Sequence, residues 1–261
     1  MQTYKYPTNE TATDSIESIQ DSGKRIREIA SITAMATYEW KTCLDFGTGI
    51  GRNLNVLYHA NKTVPDRNII AYDIDEARLL SAKNNMRSQK NIKFLSGDIQ
   101  QLDAAIAENS IDCILCCQVI GHTTTSETRK ILDFFYKKLA IRGKLIICVP
   151  FCASKKENDF FHIIDSMKAD NNKRQYRKKI SEKEFNAIGA SPTINMLPVR
   201  AFGVHDLSAW ADNSDLPLHC QPPQSIIDAT LLKSVSSFIY SIHYRYEDGS
   251  IIGDMILKMR R

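Results

Sequence analysis

Three glycines at alternate positions, Gly47, Gly49 and Gly51, stand where a short apolar segment (42–47) passes into a helical pattern (54–58). Glycine lets the backbone turn tightly and approach a ligand closely, and a helix that begins there offers free N–H groups to a carboxylate or phosphate. We therefore predict that a ligand with an anionic end binds at this turn. A plain strand-to-helix turn is the alternative interpretation.

Apolar segments alternate with helical patterns as far as residue 150. Strands with little internal alternation that are separated by helices are typical of a parallel sheet covered on both faces. The sequence thus predicts a doubly wound α/β domain. Its strands are expected at 42–47, 68–75, 91–99, 111–120 and 144–150, and a further amphipathic helix is expected before them at 13–37.

The pattern changes after Pro150. Aromatic and apolar residues alternate over 238–246, a turn is expected at 247–250, and a second β-rich run begins at Ile251, which predicts an antiparallel hairpin at the sheet edge. The intervening stretch is long for a connection, so we interpret it as a lid-like insertion. The predicted fold has a mostly parallel seven-stranded sheet. The chain is expected to comprise an N-terminal helical cover (1–40), a core (41–151), a substrate-facing insertion (152–230) and the edge hairpin (231–261).

Acidic residues end two of the predicted strands. Asp73 follows Gly51 by about 20 residues, where a carboxylate can accept both hydroxyls of a ribose, and Asp98 could accept from an adenine amino group. The dinucleotide fingerprint G-x-G-x-x-G fits poorly, because the third glycine comes one residue early and Arg52 stands in its place. Each carboxylate could instead cap the helix or turn that follows it.

These segments together resemble the class I S-adenosylmethionine-dependent methyltransferases. The matching pieces are LDFGTGIG, AYDID, FLSGDI, IDCILCCQVIGH and IRGKLIICVP, in the family's order, over roughly residues 40–151. One departure is Ile141-Arg142-Gly143, where the family usually has Pro-Gly-Gly.

The resemblance implies that S-adenosylmethionine binds along the strand ends and leaves as S-adenosylhomocysteine. The glycines would line its methionine moiety, Asp45 would help to place the ammonium group, and the later acidic positions would hold ribose and adenine. The residues implied to bind it are Asp45, Gly47, Thr48, Gly49, Gly51, Asp73, Ile74, Asp98, Ile99, Cys117 and Gln118.

His122 follows the fourth predicted strand, at the end of the sheet where open α/β folds bind ligands. We take it as the candidate catalytic residue, a substrate contact or base, with a packing histidine as the alternative. Methyl transfer from a sulfonium is an in-line displacement from an activated donor, so a base is needed only when the nucleophile arrives protonated.

Cys113, Cys116 and Cys117 could suggest a metal site. Side chains alternate along a strand, so positions 113 and 116 face opposite sides and cannot converge on one ion. We therefore predict no metal and interpret these cysteines as buried apolar residues in the reduced state.

The segment 173–179 places five cations in seven positions around Tyr176. Such runs bind phosphate backbones, but a solvated helix face is the preferred interpretation. With 34 Lys+Arg against 30 Asp+Glu, the net charge of +4 does not require an anionic partner.

No apolar run reaches the roughly 18 residues that span a bilayer, and the polar N-terminus lacks the pattern of a secretory signal. The prediction is a cytoplasmic methyltransferase that acts on a small-molecule acceptor. An RNA methyltransferase and a non-catalytic cofactor-binding partner protein are the alternatives.

Overall fold

The computed structural model describes residues 39–60, 67–153, 159–165, 176–190, 196–204, 218–220, 222–245 and 251–261. The N-terminal helix predicted at 13–37 lies outside these residues. The described strands are β1 (Thr42–Phe46), β2 (Asn68–Asp73), β3 (Ile92–Ser96), β4 (Ile111–Cys117), β5 (Leu139–Ala153), β6 (Phe160–Asp165), β7 (Tyr176–Ile180), β8 (Met196–Val204), β9 (Leu218–Cys220), β10 (Lys233–Arg245) and β11 (Ile251–Arg260).

Helices connect these strands. They are α1 (Arg52–Ala60), α2 (Glu76–Asn85), α3 (Ile99–Ala105), α4 (Thr125–Lys138), α5 (Glu182–Ala190) and α6 (Gln224–Ile227), with a 3₁₀ turn at Ile120–His122. Within the described chain, no helix is long and apolar enough to cross a membrane.

The central sheet has the hydrogen-bonded order β3-β2-β1-β4-β5-β11-β10-β9. From β3 to β5 all neighbours are parallel, which confirms the predicted doubly wound, mostly parallel α/β fold. The chain order reverses between β1 and β4. Open α/β sheets bind ligands at such a switch point, outside the carboxyl ends of the strands.

Both faces of the sheet are covered. Leu102 of α3 and Phe135 of α4 pack in one buried cluster with Phe46 of β1, while Leu54 and Leu57 of α1 pack in a second cluster on the opposite face. This arrangement explains why the strands are apolar along their whole length rather than alternating.

The cysteines of β4 divide between the two clusters, as their spacing predicts. Cys113 packs in the cluster with α1, and Cys116 packs in the cluster with α3 and α4. Burial raises the pKa of the Cys113 thiol to about 12, so it stays protonated at neutral pH. The free thiols are those of Cys43, Cys113, Cys116, Cys117, Cys148 and Cys152, and no three His, Cys, Asp or Glu side chains of the described residues cluster as metal ligands do.

The C-terminal hairpin forms as predicted but does not lie at the edge. β11 pairs antiparallel with β5 from Ile251 opposite Ala153 to Arg260 opposite Lys144. β10 pairs with β11 on one side and with β9 on the other. The insertion therefore supplies the outer strand, β9, next to the hairpin.

The insertion adds strands that the seven-stranded prediction did not include. β6 pairs antiparallel with β7 and with β8, and β8 pairs parallel with Phe151–Ala153 of β5. The predicted fifth strand ends at Pro150, because the sequence pattern changes after this residue. Pro150 nevertheless lies within β5, and the strand continues to Ala153.

Three shorter segments also differ from the predictions. The third strand ends at Ser96, since Gly97 has φ +117°, and the unpredicted helix α3 begins at Ile99. The fourth strand ends at Cys117 rather than residue 120, since Gln118 has φ +59°. In the basic run, 176–179 belong to β7, so the helix-face interpretation is wrong for these residues.

Candidate functional site

The glycine turn joins β1 to α1 with left-handed backbone at each glycine. Gly47, Gly49 and Gly51 have φ of +77°, +56° and +93°, a region that residues with a Cβ rarely adopt. The N–H groups of Gly47 and Thr48 both donate to the carbonyl oxygen of Tyr72, at 2.8 and 2.9 Å. A Cβ on Gly47 would overlap Cγ2 of Val119, so the turn lies directly against the segment that follows β4.

Asp45 ties the end of β1 to this turn. Oγ1 of Thr48 donates to Oδ2 of Asp45 at 2.6 Å, and both side chains are buried. A short bond from a hydroxyl to a carboxylate is strong. It holds Thr48, and with it the centre of the glycine turn, in one position.

Asp73 lies at the end of β2 and accepts from the backbone of two neighbouring segments. Oδ2 accepts from the N–H of Gly49 at 2.7 Å, and Oδ1 accepts from the N–H of Asp75 at 2.9 Å. Burial raises the pKa of Asp73, while these two bonds and the charge of Arg78 oppose the rise. Each carboxylate oxygen has a second acceptor position, so Asp73 retains the capacity to accept from a ligand hydroxyl.

The interpretation of Asp73 as the cap of the following helix is wrong. Asp75 is the N-cap of α2, because its Oδ1 accepts from the N–H groups of Ala77 and Arg78 at 3.0 and 3.2 Å. Asp73 binds to the glycine turn instead. Ile74 lies between the two aspartates and is half-buried.

Asp98 is a helix cap, as its alternative interpretation held. Its Oδ1 accepts from the N–H groups of Gln100 and Gln101, both at 2.9 Å, and Oε1 of Gln101 accepts from the N–H of Asp98 in return. Oδ2 takes part in none of these bonds. Asp98 and the half-buried Ile99 are therefore held rigidly at the end of β3, with one carboxylate oxygen left over for a ligand.

Cys117 and Gln118 end β4 beside the glycine turn. The N–H of Gln118 donates to the carbonyl oxygen of Cys148 at 2.8 Å, and its Nε2 donates to Oδ1 of the buried Asp254 at 2.7 Å. A carboxylate accepts hydrogen bonds, so the NH₂ end of the Gln118 amide, and not its oxygen, faces Asp254. Oε1 of Gln118 makes no hydrogen bond within the described chain.

His122 ends the 3₁₀ turn and contacts the insertion. Its Nδ1 lies 3.0 Å from the carbonyl oxygen of Pro198 in β8. A carbonyl only accepts, so Nδ1 carries the proton and Nε2 of the neutral ring is an acceptor. Burial lowers the pKa of His122; the bond to Pro198 opposes this shift, and the charge of Arg78 adds to it. The ring is therefore neutral at neutral pH.

Arg78 gave no signal in the sequence, yet its guanidinium lies over the glycine turn. Nη2 of Arg78 is 3.0 Å from the position that a Cβ on Gly49 would occupy. The residue stands in the first turn of α2, three positions after the N-cap Asp75. A cation three residues after the capping aspartate, beside a glycine-rich turn, is the pattern that would have identified it.

The predicted residues fall into two connected groups. Asp45, Thr48, Gly49 and Asp73 are joined by hydrogen bonds around the glycine turn, and the hydroxyl of Tyr72 donates to the carbonyl of Gly97 at 2.8 Å, which links this group to Asp98. Gln118 and His122 belong to the segment after β4, which meets the turn through Val119. The two groups line adjoining carboxyl ends of β1, β2, β3 and β4.

A glycine turn at β1 with carboxylates at the ends of β2 and β3 fits a nucleoside that carries an amino-acid tail. This arrangement on a sheet of this order defines a Rossmann-like S-adenosylmethionine-dependent methyltransferase of class I. Residues 39–191, more than half of the chain, match the family described as methyltransferase domain. The chain belongs to that family, and its cofactor is S-adenosylmethionine.

Solved structures share the fold at low sequence identity. The N-methyltransferase NodS from Bradyrhizobium japonicum WM9, in complex with S-adenosylhomocysteine, is similar with a TM-score of 0.55 at 13% identity, covering 100% of this chain and 99% of that chain. A SAM-dependent methyltransferase from Archaeoglobus fulgidus is similar with a TM-score of 0.54 at 10% identity, covering 97% of this chain and 100% of that one.

A curated relative is the phosphoethanolamine N-methyltransferase of Triticum aestivum. It is 25% identical over 182 residues, which are 67% of this chain and 33% of the wheat protein. The chain thus spans about a third of the length of this relative.

Proposed function

We propose that this methyltransferase methylates a nitrogen atom of a small-molecule amine. The observation that carries the proposal is the segment after β4, where Gln118 Oε1 and His122 Nε2 are both hydrogen-bond acceptors with orientations fixed by Asp254 and Pro198. An amine nitrogen that attacks a methyl group directs its N–H bonds to acceptors, and a pair of acceptors suits it.

The cofactor is proposed to lie along the residues that the sequence singled out. The glycine turn with Asp45 and Thr48 would hold the methionine moiety, Asp73 with Ile74 the ribose, and Asp98 with Ile99 the adenine, while Cys117 would face the cofactor from the end of β4. Bound S-adenosylmethionine supplies a methyl group that the sulfonium charge has already activated. The protein then has to align the acceptor and exclude water.

His122 is proposed as the base. Transfer to an amine forms the N–C bond, breaks the C–S bond with its electron pair going to sulfur, and leaves an extra proton on nitrogen. The neutral imidazole accepts that proton at Nε2 while Nδ1 keeps its own proton bonded to Pro198. The lowered pKa of His122 keeps Nε2 unprotonated at neutral pH.

The wheat relative supports an amine acceptor, since its name gives phosphoethanolamine N-methylation. A small acceptor also fits the position of the basic run. Residues 176–179 form part of β7, which pairs with β6 in the insertion and not with any strand of the parallel core.

The test is to incubate the protein with S-adenosylmethionine carrying a ¹³C-methyl group and a cell extract separated into metabolite, RNA and protein pools. We expect the label in the metabolite pool, with the carbon shift of an N-methyl group. Label in RNA would favour the RNA methyltransferase. Binding of S-adenosylhomocysteine without labelled product in any pool would favour the non-catalytic protein.

A further inference from the structure

The geometry points to Arg78 as the residue that pairs with the carboxylate of the cofactor's methionine moiety. The inference depends on the cofactor and on the proposed position of its methionine moiety over the glycine turn. It does not depend on which acceptor is methylated.

The backbone of Arg78 is fixed where its side chain can reach the turn. Its N–H donates to Oδ1 of Asp75 at 3.2 Å, in the first turn of α2. Nη2, Nε and Cζ of Arg78 lie 3.0, 3.6 and 3.7 Å from the position of a Cβ on Gly49. The flat guanidinium therefore covers Gly49, and a side chain at that position would displace it.

Gly49 belongs to the floor of the cofactor crevice. Its N–H donates to Oδ2 of Asp73, which stands at the end of the neighbouring strand. The guanidinium thus lies beside the carboxylate of Asp73, which is proposed to bind the ribose. It also lies over Gly49, which the methionine chain has to pass. A ligand in the crevice must accommodate this cation.

The charge of Arg78 acts on both sides of the crevice. Burial raises the pKa of Asp73 and the charge of Arg78 opposes this rise, while burial lowers the pKa of His122 and the same charge adds to this lowering. These directions agree with the geometry: the guanidinium lies over the turn after β1, and β1 lies between β2 and β4 in the sheet.

Only one group of the cofactor is suited to this position. S-adenosylmethionine carries a sulfonium and an ammonium, which a guanidinium repels, and a single anion, the carboxylate. Arginine binds carboxylates in a bidentate, charge-assisted geometry that lysine does not reproduce. Pairing with the carboxylate also directs the ammonium group away from Arg78, towards the acidic end of β1 at Asp45.

The experiment compares two ligands by calorimetry. One is S-adenosylhomocysteine, and the other is its decarboxylated analogue, in which hydrogen replaces the carboxylate. Both are titrated into the wild type, Arg78→Met and Arg78→Lys. The matched control is Arg87→Met, because Arg87 is exposed just beyond the same helix.

We expect Arg78→Met to weaken S-adenosylhomocysteine roughly 10- to 100-fold, the range of a charge-assisted hydrogen bond, and to leave the analogue unchanged. Arg78→Lys should fall between the two, and Arg87→Met should match the wild type. The wild type's preference for the carboxylated ligand should therefore disappear in Arg78→Met.

Three outcomes would overturn the inference. An unchanged preference in Arg78→Met would show that Arg78 does not contact the carboxylate. Equal weakening of both ligands would show that Arg78 contacts the adenine or ribose instead, and tighter binding would show that it obstructs the crevice. A wild type that binds neither ligand would contradict the cofactor site itself, so the two failures are distinguishable. Thermal melting of each variant confirms that it is folded.

Discussion

Nδ1 of His122 donates to the carbonyl oxygen of Pro198 across 3.0 Å, and this bond joins the turn after β4 to strand β8 of the insertion. The backbone of a distant segment therefore sets the tautomer of the proposed base. A main-chain carbonyl does not titrate, so the tautomer stays the same while the ring gains or loses its second proton at Nε2.

The pKa of His122 is expected below the usual value of about 6.5, because burial disfavours the imidazolium. The unfolded chain then binds this proton at a higher pH than the folded chain does. This contribution to stability is complete above about pH 6.5 and is lost as the pH falls through that value towards the folded pKa. NMR titration of the ring, with His122→Gln to assign the signal, measures it; a pKa above 6.5 would contradict the buried position.

His122→Gln should lower kcat by about 10²–10⁴-fold, the usual contribution of a general base. The affinity for S-adenosylhomocysteine should stay the same, since His122 is not among the residues proposed to hold the cofactor. Steady-state kinetics and calorimetry separate the two effects. Unchanged kcat in the folded variant would restore the interpretation of His122 as a packing residue.

Asp254→Asn should raise KM for the amine acceptor by about 5-fold, since one oriented hydrogen bond contributes about 1 kcal/mol. An asparagine can donate as well as accept, so it no longer fixes which end of the Gln118 amide it faces. Gln118→Met removes the acceptor atom with little change in shape and should raise KM at least as much. Binding of S-adenosylhomocysteine distinguishes this role from the cofactor contact that the family resemblance implies for Gln118: it should stay the same if Gln118 contacts the acceptor, and weaken if Gln118 contacts the cofactor.

Gly47→Ala should abolish cofactor binding and destabilise the fold by about 1–3 kcal/mol, because φ of +77° is strained for alanine and its Cβ overlaps Val119. Adding Val119→Ala removes the overlap but not the backbone strain, so the double variant should recover part of the lost stability. Urea unfolding of the wild type and the variants measures the steric overlap and the backbone strain as separate contributions to the free energy of unfolding. A double variant no more stable than Gly47→Ala would contradict the steric explanation.

Asp159→Ala should destabilise the protein by about 3–5 kcal/mol, the usual cost of leaving a buried charge without its partner. Asp159 binds the guanidinium of Arg200, whose side chain is 5% exposed, and it accepts from the N–H of Gly203 at 2.9 Å. Asp228→Ala is the matched control, because Asp228 is exposed at the end of α6. Urea denaturation of both variants provides the comparison.

The parallel core was predictable because each of its signals is local. Glycine spacing at 47–51 and carboxylates at strand ends depend on a few consecutive residues, so the sequence located the turn, Asp73 and Asp98. The sequence could not show that Asp98 caps α3 through Oδ1 and leaves Oδ2 out of the capping bonds, because a cap and a ligand contact require the same residue at the same position.

The contacts that fix the acceptor side join residues far apart in the chain. Gln118 contacts Asp254, and His122 contacts Pro198, only after the hairpin and the insertion have paired with β5. No local sequence pattern predicts contacts between residues so far apart in the chain. The same reason accounts for β6, β7 and β8, whose partners lie within the insertion itself or in the last three residues of β5.

The last three residues of β5 have consequences for how the protein unfolds. Beyond Cys148, where β4 ends its pairing, Phe151, Cys152 and Ala153 bond to β11 on one side and to β8 on the other. β8 therefore cannot detach without exposing a strand that also holds the C-terminal hairpin. The insertion strand and the core form one cooperative unit, and the amide protons of Cys152 and Val204 should exchange with solvent only through global unfolding.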